Sequence, residues 1–309
     1  MGDRGEGDLG RRRAALVQPE GQDGYKNNEQ DEQEPGSRHS PLYSPRWDTG
    51  LARKLGAKTA LVLSAGGMFG AYQAGAWRAL AGSFRPDLVV GASVGALNAW
   101  IIAGGAGPEE LERYWLDPSG ARMASFRLAQ PPWRGVFDAR PLHDRIQALW
   151  RTYRPSVGIG VVAVELRTLR PRLFRNEEIG WEHLAASCAV LTCYPQMRLD
   201  GRLYTDGGLL TSLPLAAAAA MGATRILAIN ALPEAPSRLV AMAVKGFRAL
   251  APDPPAPEGA LELRTITPAA RLGSLREALF WNETTIRRWL AQGEADAART
   301  DLEFAVKCF

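Results

Sequence analysis

The chain is poor in the residues that secreted scaffolds and most hydrolases depend on. Its 309 residues hold three cysteines and three histidines. Cys188, Cys193 and Cys308 are odd in number and unpatterned, so they point to neither a disulfide framework nor a zinc site, and no metal or other cofactor is expected. No stretch approaches the roughly 18–20 uninterrupted apolar residues of a membrane-spanning helix. A secretory leader is not expected either, because Arg11, Arg12 and Arg13 are followed by only residues 14–17 before polar residues resume. Cys308 lies too near the end for a prenylation box. Strong charge of one sign is missing as well. A net charge of +4 is too weak, and too evenly spread, for a nucleic-acid binder, though it suits anionic surfaces such as phospholipid head groups. These absences describe a soluble cytoplasmic protein for which peripheral membrane contact stays open. They leave its oligomeric state unread.

What is present is a hydrophobic content of 46%, enough for a substantial core. Residues 1–50 are rich in Gly, Asp, Glu, Gln, Asn, Arg and Pro, and predict a disordered tail. The remainder alternates strands and helices. Residues 58–63 predict a strand, 64–70 a glycine-rich turn, and 71–81 a helix. Residues 88–90 form a second strand, ending in the turn Gly91-Ala92-Ser93-Val94-Gly95, with a small-residue helix from 96 to about 103. Surface helices are expected at 108–115 and 141–150, a strand at 158–165 with its hairpin partner at 171–174, and a helix at 181–187. A short strand at 202–205 runs into Asp206-Gly207-Gly208. An alanine-rich helix at 214–221 and a strand at 225–230 follow. Continuous apolar strands alternating with helices indicate an α/β fold with buried parallel strands. Beyond a proline-dense stretch, residues 238–250 are apolar with three basic residues and read as a packed surface helix or an interfacial one. Residues 261–266 predict a last strand, and 274–298 one long amphipathic helix. There is no internal repeat.

Three patterns carry chemistry. In G-x-S-x-G, Ser93 stands at the apex of a strand-to-helix turn, where side chains at the flanking Gly91 and Gly95 would clash with the adjoining elements. Such a turn aims the hydroxyl along a helix N-terminus, where developing anions are favoured. The alternative is a glycine-rich turn before a buried helix. A serine nucleophile needs a base. Histidine, the usual one, is scarce: His39 lies in the tail, His143 and His183 on predicted helices, and none follows position 183. The remaining candidate is Asp206, presented by Gly207 and Gly208, although D-G is also among the commonest turn dipeptides. The loop 65–70 supplies backbone N–H groups of Gly66, Gly67 and Met68 as oxyanion-hole candidates. Read instead as a nucleotide fingerprint this loop is poor, because position 65 is Ala and Asp87 begins a strand rather than ending one.

These residues resemble the patatin-like phospholipases, the lipid acyl hydrolases. The likeness lies in the Gly-rich loop with Gly70, in Gly91–Gly95 and in Asp206–Gly208. It extends to residues 186–189, Tyr194-Pro195 and 200–204, and it covers roughly residues 58–232. The resemblance implies a three-layer α/β/α sandwich with a mostly parallel central sheet. Its catalytic core would be residues 51–235, and residues 236–309 a helical extension packed on it. It further implies Ser93 as nucleophile, Asp206 as base, loop amides as oxyanion hole, no metal, and a phospholipid or related lipid ester as substrate. Three positions depart from the family pattern: Ala65 for the first loop glycine, Phe69 for a basic residue, and Leu191 for a proline. Phe69 is expected to remove a cation beside the oxyanion, weakening catalysis or favouring an apolar acyl group there. A non-enzymatic relative that binds lipid or a partner, and an esterase using His183, are the competing readings.

Overall fold

The computed structural model describes residues 58–126, 135–234, 237–252, 260–300 and 305–308. The expected tail and His39 lie outside them. The strands are β1 (Lys58–Leu63), β2 (Leu88–Ala92), β3 (Gly158–Glu165), β4 (Arg170–Arg175), β5 (Met197–Leu199), β6 (Arg202–Asp206), β7 (Ala223–Ile229), β8 (Ala260–Ile266) and β9 (Ala305–Cys308). They join one sheet in the order β5-β6-β3-β2-β1-β7-β8-β9, with β4 pairing β3 off this path. The centre, β3-β2-β1-β7-β8, is parallel. β4, β5, β6 and β9 pair antiparallel at its margins.

The helices are α1 (Gly70–Leu80), α2 (Val94–Ala103), α3 (Pro108–Leu116), α4 (Arg140–Thr152), α5 (Trp181–Ser187), α6 (Leu215–Ala220), α7 (Arg238–Leu250), α8 (Leu275–Leu279) and α9 (Glu283–Ala298). α3 and α4 each carry a proline in the first turn, where its missing N–H is harmless. Central strands send alternate side chains to opposite faces. Leu61, Leu63, Val89, Ile159, Val161, Leu227 and Ile229 form a large core with residues of α1 to α5 and α9. Ala60, Val62, Val90, Val162, Ile226 and Ala228 form a smaller one with α6. The sheet therefore lies between two helical layers, as the resemblance implied, and one layer is much thinner.

Two expectations need correction. Residues 274–298 are two helices, not one. Asn282 accepts the Thr285 N–H at 3.1 Å and caps α9, while the indole of neighbouring Trp281 donates to the Trp115 carbonyl at 2.9 Å. The segment after residue 235 also adds a strand that was not expected, β9, beside the expected β8. α9 is wedged against α1. A Cβ on Gly75 would run into the Leu290 carbonyl, and one on Gly293 into the Tyr72 carbonyl, so the two backbones meet with no side chain between them. At this contact the Tyr72 hydroxyl donates to Asp296 at 3.2 Å. Among the described residues, no helix is long and apolar enough to cross a membrane.

Candidate active site

Strand register brings two distant positions together. β2 ascends beside β3 and ends with Ala92 opposite Val162. β6 runs the other way along the next residues of β3, from Glu165 to Ala163, and places Asp206 opposite Ala163. Ser93, one residue beyond Ala92, and Asp206 thus converge where one neighbour of β3 gives way to the other. Both are almost wholly buried, at 5% and 6% exposure.

Ser93 stands at φ 55°, ψ −131°, outside the regions an L-residue prefers, and forms the N-cap of the fully buried α2. Such a conformation costs on the order of 1–3 kcal/mol and needs the surroundings to hold it. Here they do. Ser187 Oγ accepts the Ser93 N–H at 2.8 Å and donates to the Val162 carbonyl at 2.7 Å. A Cβ on Gly91 would strike the Gly95 carbonyl, and one on Gly95 would lie 2.5 Å from the carbonyls of Leu63 and Ser64. Both flanking glycines are therefore required by close backbone approach.

Asp206 caps a single turn over Gly207–Leu209, its Oδ1 accepting the Gly208 N–H at 2.6 Å. Its own N–H donates to the Ala189 carbonyl at 3.1 Å. A Cβ on Gly207 would enter the Val162 carbonyl, and one on Gly208 would lie 2.5 Å from the Ala65 Cβ. Ala65 therefore fits at the loop's first position because the D-G-G turn packs directly on it. Burial pushes the Asp206 carboxyl up to about 6, while the Ser93 hydroxyl and the Gly208 amide draw it down. Its Oδ2 is buried without a partner at ordinary hydrogen-bond geometry. The thiol of the fully buried Cys188 is driven well above its ordinary value, by burial first and then by the Asp206 carboxylate, so it does not compete as a nucleophile.

The glycine-rich loop ends in a short turn, Gly67–Phe69, that leads straight into α1. Gly67 has φ +57°, and a Cβ there would enter the Ala278 carbonyl of α8. The amides of Gly66, Gly67 and Met68 take no backbone acceptor among the described residues. A Cβ on Gly70 would lie 2.6 Å from Val94 Cγ2, which places the loop beside the serine turn. Phe69 does not stand where the resemblance suggested. Its ring is buried and meets Trp289 of α9 edge-on, with centroids 5.0 Å apart, so it anchors the loop to the core while also lining a pocket with Ala231, Leu232 and Leu272.

A buried polar network, unread in the sequence, ties these parts together. Asn98 of α2 donates to the Gly70 carbonyl and to Gln73 Oε1, both at 2.9 Å, and accepts the Trp115 indole N–H at 3.0 Å. Gln73 donates to the Ser64 carbonyl at 2.6 Å. Ser64 Oγ donates to the Ala65 carbonyl and accepts the Ala231 N–H, both at 2.9 Å. Loop, loop helix and serine helix are thus one rigid piece. The signal was Asn98 as the lone polar side chain of α2, and Gln73 amid the apolar first half of α1.

The histidines are occupied elsewhere. His183 Nδ1 accepts the Gly180 N–H at 2.9 Å within its own helix, and its ring packs 4.4 Å from Phe174. His143 lies beside Trp181. Burial lowers the pKa of both. Asp87, the acid of the nucleotide reading, accepts the Thr59 N–H at 2.7 Å and pins the starts of β1 and β2 together.

A family model described as patatin-like phospholipase matches residues 61–219, just over half of the chain. The chain belongs to the patatin-like phospholipase family. "Patatin-like phospholipase domain-containing protein 7" of Mus musculus is 27% identical to it over 214 residues, covering 64% of this chain and 15% of that protein. The protein of the same description from Rattus norvegicus matches equally. This patatin-like chain thus corresponds to a small part of those relatives. Solved structures with partial likeness include VipD from Legionella pneumophila, at TM-score 0.44 and 13% identity over 78% of this chain and 66% of that one. The type III effector protein ExoU has TM-score 0.37 and 14% identity over 81% and 54%.

Proposed function

We propose that this patatin-like phospholipase hydrolyses carboxylic esters of phospholipids or related lipids through Ser93 and Asp206. The observation that carries this reading is the convergence on β3 of a strained, buried serine and a buried carboxyl of raised pKa, with His143 and His183 engaged elsewhere. Ser93 Oγ attacks the ester carbonyl and passes its proton to Asp206. The tetrahedral oxyanion is held by the amides of Gly66, Gly67 and Met68, and losing one such donor costs about 2.7–4 kcal/mol of transition-state stabilisation. Collapse of this intermediate expels the alcohol, which takes the proton back from Asp206. Water then gives a proton to Asp206 and attacks the acyl-serine, releasing the fatty acid and restoring Ser93. A carboxyl near 6 is ionised at neutral pH and is a stronger base than an ordinary carboxylate near 3.9, which suits the task.

Labelling of the purified chain by a fluorophosphonate, lost on Ser93→Ala, tests the nucleophile. Hydrolysis of a lipid panel by wild type, Ser93→Ala and Asp206→Asn tests the pair. Lipid turnover that persists in both variants would refute the proposal.

A further inference from the structure

The helix α7, Arg238–Leu250, stands apart from every other long helix. It begins in a regular way, with Ser237 Oγ accepting the Val240 N–H at 3.2 Å. Yet none of its described side chains is buried. Met242 and Leu250 are 70% and 76% exposed, although both are large and apolar. Successive residues turn by about 100° around a helix, so Val240, Val244 and Phe247 fall within about 60° of one another. These three are half-buried, the most covered of the helix's described side chains. Arg238, Lys245 and Arg248 gather within about 80° on another side, with Met242 next to Arg238. Met242, Leu250 and the three cations therefore share the solvent-exposed surface.

The charges are the second observation. The helix contains no acidic residue, and none of its three cations forms an ion pair with a described residue. Several cations on other helices do, though Arg113 of α3 and Arg276 of α8 form no ion pair with a described residue either. Arg78 of α1 pairs with Glu112 and Glu294, Arg145 of α4 with Asp117, and Arg287 and Arg288 of α9 with Glu283 and Glu277. An apolar surface beside uncompensated positive charge suits a partner that is apolar inside and anionic at its face.

We propose that α7 docks this protein on an anionic lipid bilayer. Met242 and Leu250 enter the boundary between head groups and acyl chains, while Arg238, Lys245 and Arg248 lie among the lipid phosphates and carboxylates, their alkyl stems along the apolar layer. The small exposed residues Ala241, Gly246 and Ala249 let the helix lie close to the membrane plane. Docking holds the enzyme at its substrate and requires no change at Ser93. It deepens the hydrolase reading by naming the surface on which the substrate is met, but its measurement does not depend on hydrolysis.

The test is co-flotation of the full chain, carrying Ser93→Ala so that lipid is not consumed, with two kinds of vesicle. One is phosphatidylcholine alone and the other phosphatidylcholine mixed with phosphatidylserine. Binding is expected to the mixed vesicles, weakened by added salt, and reduced about 100-fold when Arg238→Gln, Lys245→Gln and Arg248→Gln are combined. Met242→Asp with Leu250→Asp is expected to abolish it. In an otherwise wild-type chain, both sets are expected to leave the thermal midpoint and the hydrolysis of a soluble short-chain ester unchanged. Absent binding, equal binding to both vesicles, or binding that neither set alters would overturn the proposal. So would a dimer that Met242→Asp with Leu250→Asp dissolves in the absence of lipid, which would make α7 a contact between two copies. Binding that appears only after residues 1–57 are deleted would instead make them the occupant. If vesicles bind but wild type hydrolyses no ester, the activity falls and the docking surface stands.

Discussion

The two ends of the parallel strands differ sharply in how well their polar groups are served. At the starts of β1, β2 and β3, the Asp87 side chain accepts the Thr59 N–H, its N–H donates to the Thr59 carbonyl, and its carbonyl accepts the Gly158 N–H. Asn176 accepts the Ile159 N–H at 3.1 Å alongside. At the opposite ends stand a serine at positive φ, a buried carboxyl with one oxygen outside ordinary hydrogen-bond geometry, and amides with no backbone acceptor among the described residues. The same sheet is comfortable at one end and uncomfortable at the other. Reactive groups must be held ready without being satisfied, and that cost is tolerable only because the core beneath is closely packed.

The contrast can be broken most forcefully at the site itself. Ser93→Ala is expected to lower kcat about 10,000-fold or more in a lipid hydrolysis assay, with little change in stability. Asp206→Asn is expected to be comparably inactive yet more stable. The folded-state pKa is raised from 3.8 to about 6, so this group's contribution is fully favourable below about pH 3.8 and is lost as pH rises through about 6. The variant should therefore gain on the order of 3 kcal/mol above pH 6 in denaturant unfolding, and no gain at pH 3. Equal stability at both pH values would mean the site end holds no such cost.

Smaller effects follow. Asn98→Leu strands Gln73, the Trp115 indole and the Gly70 carbonyl, and should cost about 3 kcal/mol and lower kcat more than it changes KM. In wild type, kcat/KM should rise about tenfold per pH unit up to about 6 and then level off; a midpoint near 4 would contradict the raised carboxyl. At the other end, Asp87→Ala should cost only about 1 kcal/mol and leave kcat/KM unchanged. A loss of activity there would erase the distinction between the two ends.

The strand-turn-helix around Ser93 and the D-G-G turn were legible because their determinants are local: a glycine either side of the serine, two after the aspartate. The apolar runs of the central strands were legible for the same reason. The role of Phe69 was not, because its partner Trp289 is far along the chain and only folding brings the rings together. Ser187, Gln73 and Asn98 read as ordinary residues until their hydrogen bonds are seen. The break between α8 and α9 was readable in part. Ser274 with Glu277 makes one capping box, and Asn282 is a second N-cap eight residues on. The amphipathic pattern running across both concealed it. The short β5 and β9 carried too little pattern to be seen at all.

The bare backbone crossing of α1 and α9 has a practical consequence for anyone trimming the gene. The stretch that matches the family stops at residue 219, before β7 and well before α9. An expression fragment cut there would strip β1 of one hydrogen-bonded neighbour and uncover the Gly75 side of α1. With an open strand edge and a denuded helix wall, such a fragment is expected to precipitate rather than fold. The smallest useful truncation therefore keeps everything from β1 through β9, because β9 in turn covers the edge of β8.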